Sequence, residues 1–181
     1  MTKNAITIVL AFLFTAAILI LGYISFGLWT TVIFTSGFLG GFILWIGVPV
    51  KGDFQSIKVP FWLVFALFMV HRVEEKVADF FKALSEITGV STPSITSLSV
   101  ILLVITSVVD WLFVPFLIRR GYAFGYYLAW TFFAAMGITE LAHFVLPLFT
   151  DKPYGYFPGM ASVIFLAPVA WWGMWRLHKG G

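Results

Sequence analysis

The chain contains no cysteine, which excludes disulfides, thiolate metal sites and a cysteine nucleophile. Charge is nearly as scarce: Asp, Glu, Lys and Arg make up 10% of the 181 residues, against about 25% in a soluble domain. From Ala5 to Val50 there is no charged residue at all. So few charges cannot cover a water-facing surface, and soluble, disordered and nucleic-acid-binding classes all fit poorly. The basic surplus, a net +3, is small and scattered; it reads as membrane orientation, with no nucleic-acid partner.

What is present is apolar. Hydrophobic residues make up 61% of the chain and aromatics 19%, and the mean hydropathy is +1.00. The expected fold class is all-α: a polytopic membrane helical bundle, a single transmembrane domain over 1–181, multi-pass in the cell membrane. The uncharged stretch is about twice the roughly 20 residues one crossing needs, so it should fold back once, with turn residues at Gly22-Tyr23-Ile24-Ser25-Phe26-Gly27. Six transmembrane helices are expected, at about 5–22, 27–49, 59–83, 95–118, 123–149 and 158–177. Pro60 falls in the tolerated first turn of the third, and Thr88-Gly89 with Ser91-Thr92-Pro93 separates the third from the fourth. An N-in/C-in arrangement puts Lys3, Lys51, Lys58, Arg119, Arg120, Arg176 and Lys179 inside, against Lys76, Lys82 and Lys152 outside; this agrees with the positive-inside rule. Trp171, Trp172 and Trp175 beside Arg176 read as an interfacial belt.

Seven polar residues stand out inside these spans: His71, Arg72, Glu74, Glu75, Asp110, Glu140 and His143. Each formal charge costs roughly 2.5–3.5 kcal/mol at mid-membrane even on the lenient scale, so they must meet one another, water or a ligand. His71-x-x-Glu74-Glu75 places an imidazole and two carboxylates on one helical face, and Glu140-x-x-His143 repeats the i, i+3 geometry on another helix. Both motifs lie well along helices that run the same way, which suggests a similar depth. Asp110 is the expected partner of Arg72. Glu-x-x-His pairs on facing helices are how carboxylate-bridged metal sites are built in bundles. His71, Glu74, Glu75, Glu140 and His143 are therefore the expected ligands of a divalent metal (Fe, Mn or Zn), with Glu74, Glu75 and Glu140 as the catalytic carboxylates. The same groups without metal would make a proton-transfer site. Plainer roles compete: inter-helix hydrogen bonds for the histidines, and a structural salt-bridge ladder of Glu74, Glu75, Arg72, Lys76 and Asp79. Gly37, Gly40, Gly41 and Gly47 need do no more than permit close helix packing.

His71-Arg72-Val73-Glu74-Glu75 resembles the signature of the HXXEE-domain family of small integral membrane proteins. His143, then Tyr156-Phe157-Pro158-Gly159 and an apolar run containing Pro168, is similar to that family's histidine, Tyr-x-Pro-Gly motif and last helix. The likeness spans roughly residues 60–170. It implies a multi-pass helical protein with His71, Glu74, Glu75 and His143 as its polar centre, and no settled activity. Glu140 stands on spacing alone.

Together these readings favour a membrane-embedded, metal-dependent enzyme acting on a lipophilic small molecule, with lipid bilayer and substrate as its partners and homo-oligomer formation left open. The alternatives are a proton- or cation-coupled small transporter or channel, a metal-free proton-transfer isomerase, and an accessory subunit. An enzyme predicts a cavity at the cluster, a transporter a water path to both sides, and an accessory subunit a His71 or Glu75 that faces outward.

Overall fold

The structure is a computed structural model that describes residues 3–91 and 97–180. Among the described residues it is entirely helical. Its elements are α1 (Ala5–Gly47), α2 (Phe54–Val77), α3 (Phe80–Thr88), α4 (Leu98–Arg119), α5 (Ala123–Gly137), α6 (Ala142–Val145) and α7 (Met160–Lys179). Single 3₁₀ turns, Thr139–Leu141 and Leu146–Phe149, flank α6. Five helical stretches are long and apolar enough to cross a membrane: Ala5–Ile33, Phe54–Val77, Val100–Arg119, Ala123–Phe149 and Met160–Lys179; Thr35–Gly47 is a shorter apolar helix.

The long α1 is helical to either side of Gly27, whose φ of 71° and ψ of 179° interrupt it. The chain reverses there. Lys3 Nζ reaches Ile46 O at 3.0 Å, and the rings of Phe12 and Phe42 lie 6.2 Å apart, as do those of Phe14 and Phe38. A positive φ is free for glycine alone, so the turn narrows from the six residues 22–27 to one. The returning limb then packs on α5 through two small-residue contacts: a Cβ on Gly37 would overlap Ala135, and one on Gly41 would overlap Thr131. Gly40 and Gly47 face open space, so only half of that glycine set serves packing.

The boundaries expected for the third span shift. α2 starts five residues earlier than 59 because Asp53 caps it, accepting from Ser56 N at 2.9 Å and Ser56 Oγ at 2.8 Å. Those donors hold the Asp53 carboxyl below its usual range. Pro60 therefore lies inside the helix, where its missing N–H leaves the carbonyl four residues back without a backbone donor. That carbonyl, Ser56 O, accepts from Arg176 Nε at 3.0 Å. At the other end α2 stops at Val77, six residues short of 83, because Asp79 takes a left-handed conformation (φ 55°) that Asp tolerates. The expected span 123–149 is not one regular helix either. α5 ends at Gly137, whose carbonyl accepts from Trp171 Nε1 at 2.6 Å, and the chain continues in short irregular turns. The fourth and last spans settle at Leu98–Arg119 and Met160–Lys179; Thr92, Pro93 and the expected start at 95 lie outside the described residues.

One end of the bundle gathers the basic residues. Lys51 and Gly52 N–H groups donate to Leu177 O at 3.1 and 3.0 Å, and the Arg119 guanidinium sits 4.9 Å from the Phe54 ring centre. The ends of α2 and of the Ala123–Phe149 stretch meet the start of α7 at the opposite end, and there the polar motifs converge.

Candidate metal centre

Four side chains meet at one point. His71 and Glu75, one turn apart on α2, face Glu140 from the 3₁₀ turn and His143 from α6. One ligand atom from each lies within 4.8 Å of all the others. His71 Nε2 is 3.2 Å from Glu140 Oε2 and 3.4 Å from Glu75 Oε1. His143 Nε2 is 3.1 Å from Glu140 Oε2 and 3.3 Å from Glu75 Oε1. All four residues are buried, His71 completely and Glu75 to 4% exposure, so neither looks out of the bundle as an accessory contact would require.

The outer nitrogens of both imidazoles are held. His143 Nδ1 is 2.5 Å from Pro158 O. A carbonyl only accepts, so Nδ1 carries the hydrogen. His71 Nδ1 is 2.8 Å from Ser162 Oγ, whose own hydrogen goes to Gly159 O at 3.1 Å; here too Nδ1 is the donor. In a neutral imidazole, Nε2 is then a bare lone pair. With neutral rings, two lone pairs and two carboxylate oxygens converge, a set that could take up a cation; with protonated rings, each Nε2–H instead donates to Glu140 Oε2, at 3.2 and 3.1 Å. Glu75 Oε1 has no hydrogen-bond partner, though both Nε2 atoms flank it.

The spacing has a simple interpretation. Donors about 2.0–2.1 Å from a tetrahedral ion lie about 3.3–3.4 Å from one another, and the four His–Glu separations run from 3.1 to 3.4 Å. The full set spreads over up to 4.8 Å, wider than a regular tetrahedron, so the four residues could hold a single zinc, iron or manganese ion through two nitrogen and two oxygen donors in an opened arrangement.

Arg72 orients the two carboxylates from behind. Its Nη1 donates to Glu75 Oε2 at 2.8 Å and its Nη2 to Glu140 Oε1 at 2.6 Å, a clamp across two helices that leaves Oε1 and Oε2, respectively, turned inward. This replaces the expected Arg72–Asp110 pair. Glu74 also departs from expectation: it does not join the four. Its Oε1 accepts from Tyr156 Oη at 2.8 Å and Ala161 N at 3.1 Å, and its Oε2 from Ser162 N at 2.8 Å. A helix N-terminus presents free N–H groups and a partial positive charge, and the Glu74 carboxylate serves that end of α7.

The Tyr-x-Pro-Gly segment closes the site from the α7 side. Burial, together with the Glu74 carboxylate beside it, pushes the Tyr156 phenol up and keeps it a donor. Pro158 supplies the carbonyl that orients His143. Gly159, at φ 96°, packs where a Cβ would overlap the His143 ring and crowd His71. Residue spacing alone had marked Glu74 and passed over Ser162, Pro158 O and the clamping role of Arg72. The Tyr-x-Pro-Gly motif was the advance sign of Pro158, and the salt-bridge reading of Arg72 that of its pair with Glu75.

A cavity of about 120 Å³ adjoins the centre, lined by Arg72, Glu140 and His143, by the hydroxyl-bearing Thr35, Ser107 and Thr139, and otherwise by apolar side chains. Phe80 of α3 lies against His143, ring centres 4.9 Å apart, and helps cover the centre from the end of the bundle.

A family model described as "Protein of unknown function with HXXEE motif" matches residues 62–173. No curated protein and no solved structure matches the chain.

Proposed function

Because the chain belongs to the family of proteins with the HXXEE motif, whose description leaves the activity open, function must come from the site, and we propose a membrane-embedded, metal-dependent enzyme acting on a lipophilic small molecule. The observation that carries this reading is the convergence of two imidazole Nε2 atoms, each on a ring whose Nδ1 donates elsewhere, and two carboxylate oxygens at His–Glu distances of 3.1–3.4 Å. His71 and His143 ligate as neutral imidazoles; Glu75 and Glu140 supply the oxygens; Arg72, Ser162 and Pro158 O hold the donors in place.

A divalent ion there polarises a substrate oxygen or lowers the pKa of a bound water. The cavity points to catalysis over a purely structural ion. Glu140 and His143 face it directly, while Glu75 does not line it, so a bound molecule meets the centre from the Glu140 and His143 side. Apolar walls exclude water and match a lipophilic substrate. In the same reading the two limbs of α1 are separate crossings, which makes six spans, N-in/C-in, in the cell membrane.

Elemental analysis of detergent-purified protein tests this, with His71→Ala and Glu140→Ala variants alongside. Wild type is expected to hold close to one zinc, iron or manganese per chain, and both variants to lose it. Folded wild type that takes up none of these ions on incubation would defeat the metal reading.

A further inference from the structure

The cavity beside the metal centre constrains what it admits in two independent ways, size and charge. Pockets that enclose a drug-sized ligand measure about 300–1,000 Å³. This one, at about 120 Å³, is well below that range. A molecule that reaches Glu140 and His143 through it therefore seats only its head and first few carbons. The remainder must lie outside. Val104 of α4 lines the cavity yet is 54% exposed, and its neighbours Leu102 and Ile105 are exposed as well. In the six-span reading that surface is lipid-facing, between α4 and the returning limb of α1. A narrow chain can lie there among apolar side chains, whereas a bulky rigid molecule cannot enter.

Charge selects the head. Glu75, Glu140, Arg72 and a divalent ion leave one net positive charge among apolar walls formed by Phe38, Phe68, Leu103 and Trp111. An uncompensated charge in such a setting is strongly disfavoured, and a monoanion cancels it. Arg72 itself lines the cavity, with its side chain 31% exposed, while clamping the two carboxylates. We propose that this cavity binds the carboxylate head of a single-chain amphiphile that arrives sideways from the bilayer between α4 and the returning limb of α1. This rests on the metal reading above and names its substrate class.

The test uses full-length protein loaded with Co²⁺ in nonionic detergent, read by the visible d–d absorption of the bound ion. Dodecanoate is expected to shift these bands saturably, and dodecanol at the same concentration to leave them unchanged. Val104→Trp, which fills the mouth, is expected to keep the unliganded Co²⁺ spectrum and raise the half-saturating dodecanoate concentration by about tenfold or more. Ile33→Trp, at another wall of the same cavity, serves if that variant does not fold. Co²⁺ bands that ignore dodecanoate, respond equally to dodecanol, or respond undiminished in the blocked variant would overturn the inference while leaving the metal reading standing. Absence of Co²⁺ bands in folded protein would overturn both.

Discussion

Glu74 and Glu75 are adjacent in sequence and opposite in use. A helix turns about 100° per residue, enough to send Glu75 toward His71 and His143 while Glu74 reaches the N-terminus of α7. Spacing shows which residues share a broad face, but not which of two neighbouring carboxylates another element will claim. Ser162 is the link between these two uses: its N–H binds Glu74, its hydroxyl accepts from His71. Removing that hydroxyl frees the His71 tautomer without touching a ligand. Ser162→Ala is therefore expected to weaken metal affinity by about 10–100-fold, measured by competition against a chromophoric chelator. Ser162→Thr, which keeps the hydroxyl, should restore most of the loss; a Thr variant as weak as Ala would count against the tautomer argument.

The elements are set as much by interruptions as by helical propensity. Gly27 breaks α1, Asp79 ends α2, and Gly137 ends α5. The last of these matters to the centre, because Glu140 and His143 sit in the irregular turns that follow. Pro60 is accommodated only because Arg176 on another helix serves the freed carbonyl. Small residues decide how closely α1 and α5 approach: Gly41 lies against the Thr131 backbone, whereas Gly40 faces open space. Gly41→Val should therefore destabilise the fold by about 1–3 kcal/mol through overpacking. Gly40→Ala should be neutral or stabilising by up to about 1 kcal/mol, from helix propensity. Denaturant unfolding in detergent, followed by circular dichroism, distinguishes the two. Equal effects would mean that α1 and α5 are not in the close contact described.

At the scale of the molecule, the two ends of the bundle differ in kind. Lys3, Lys51, Arg119 and Arg176 lie at the end formed by the α7 C-terminus. The His/Glu cluster, α3 and the Gly27 turn lie toward the other. In the six-span orientation, Ser85 and Ser91 on the α3 side face outward. A cysteine at either position, in a chain that has none of its own, should react with an impermeant maleimide added outside intact cells. A cysteine beside Lys51 should react only after the cells are opened. Labelling in the reverse order would invert the topology and leave the site's geometry untouched.

The membrane-like character, the helical class, the reversal near Gly27 and two of the pairings around the centre were legible in the sequence, because each follows from local quantities. Hydropathy measures transfer cost residue by residue, glycine marks positions where other residues are strained, and the i, i+3 and i, i+4 spacings put His71 near Glu75, and Glu140 near His143, whatever surrounds them. Membership in the HXXEE family was legible for the same reason, since its motifs are contiguous. The rest depended on elements distant in the chain. Only the packing of α2 against α7 gives Glu74 a helix end to cap, and only the meeting of α2 with the 139–143 turns lets Arg72 bridge two carboxylates instead of reaching Asp110. Long polar side chains have several partners within reach, and which one they take is settled by which elements pack side by side, a property of the assembled bundle and not of any segment of it.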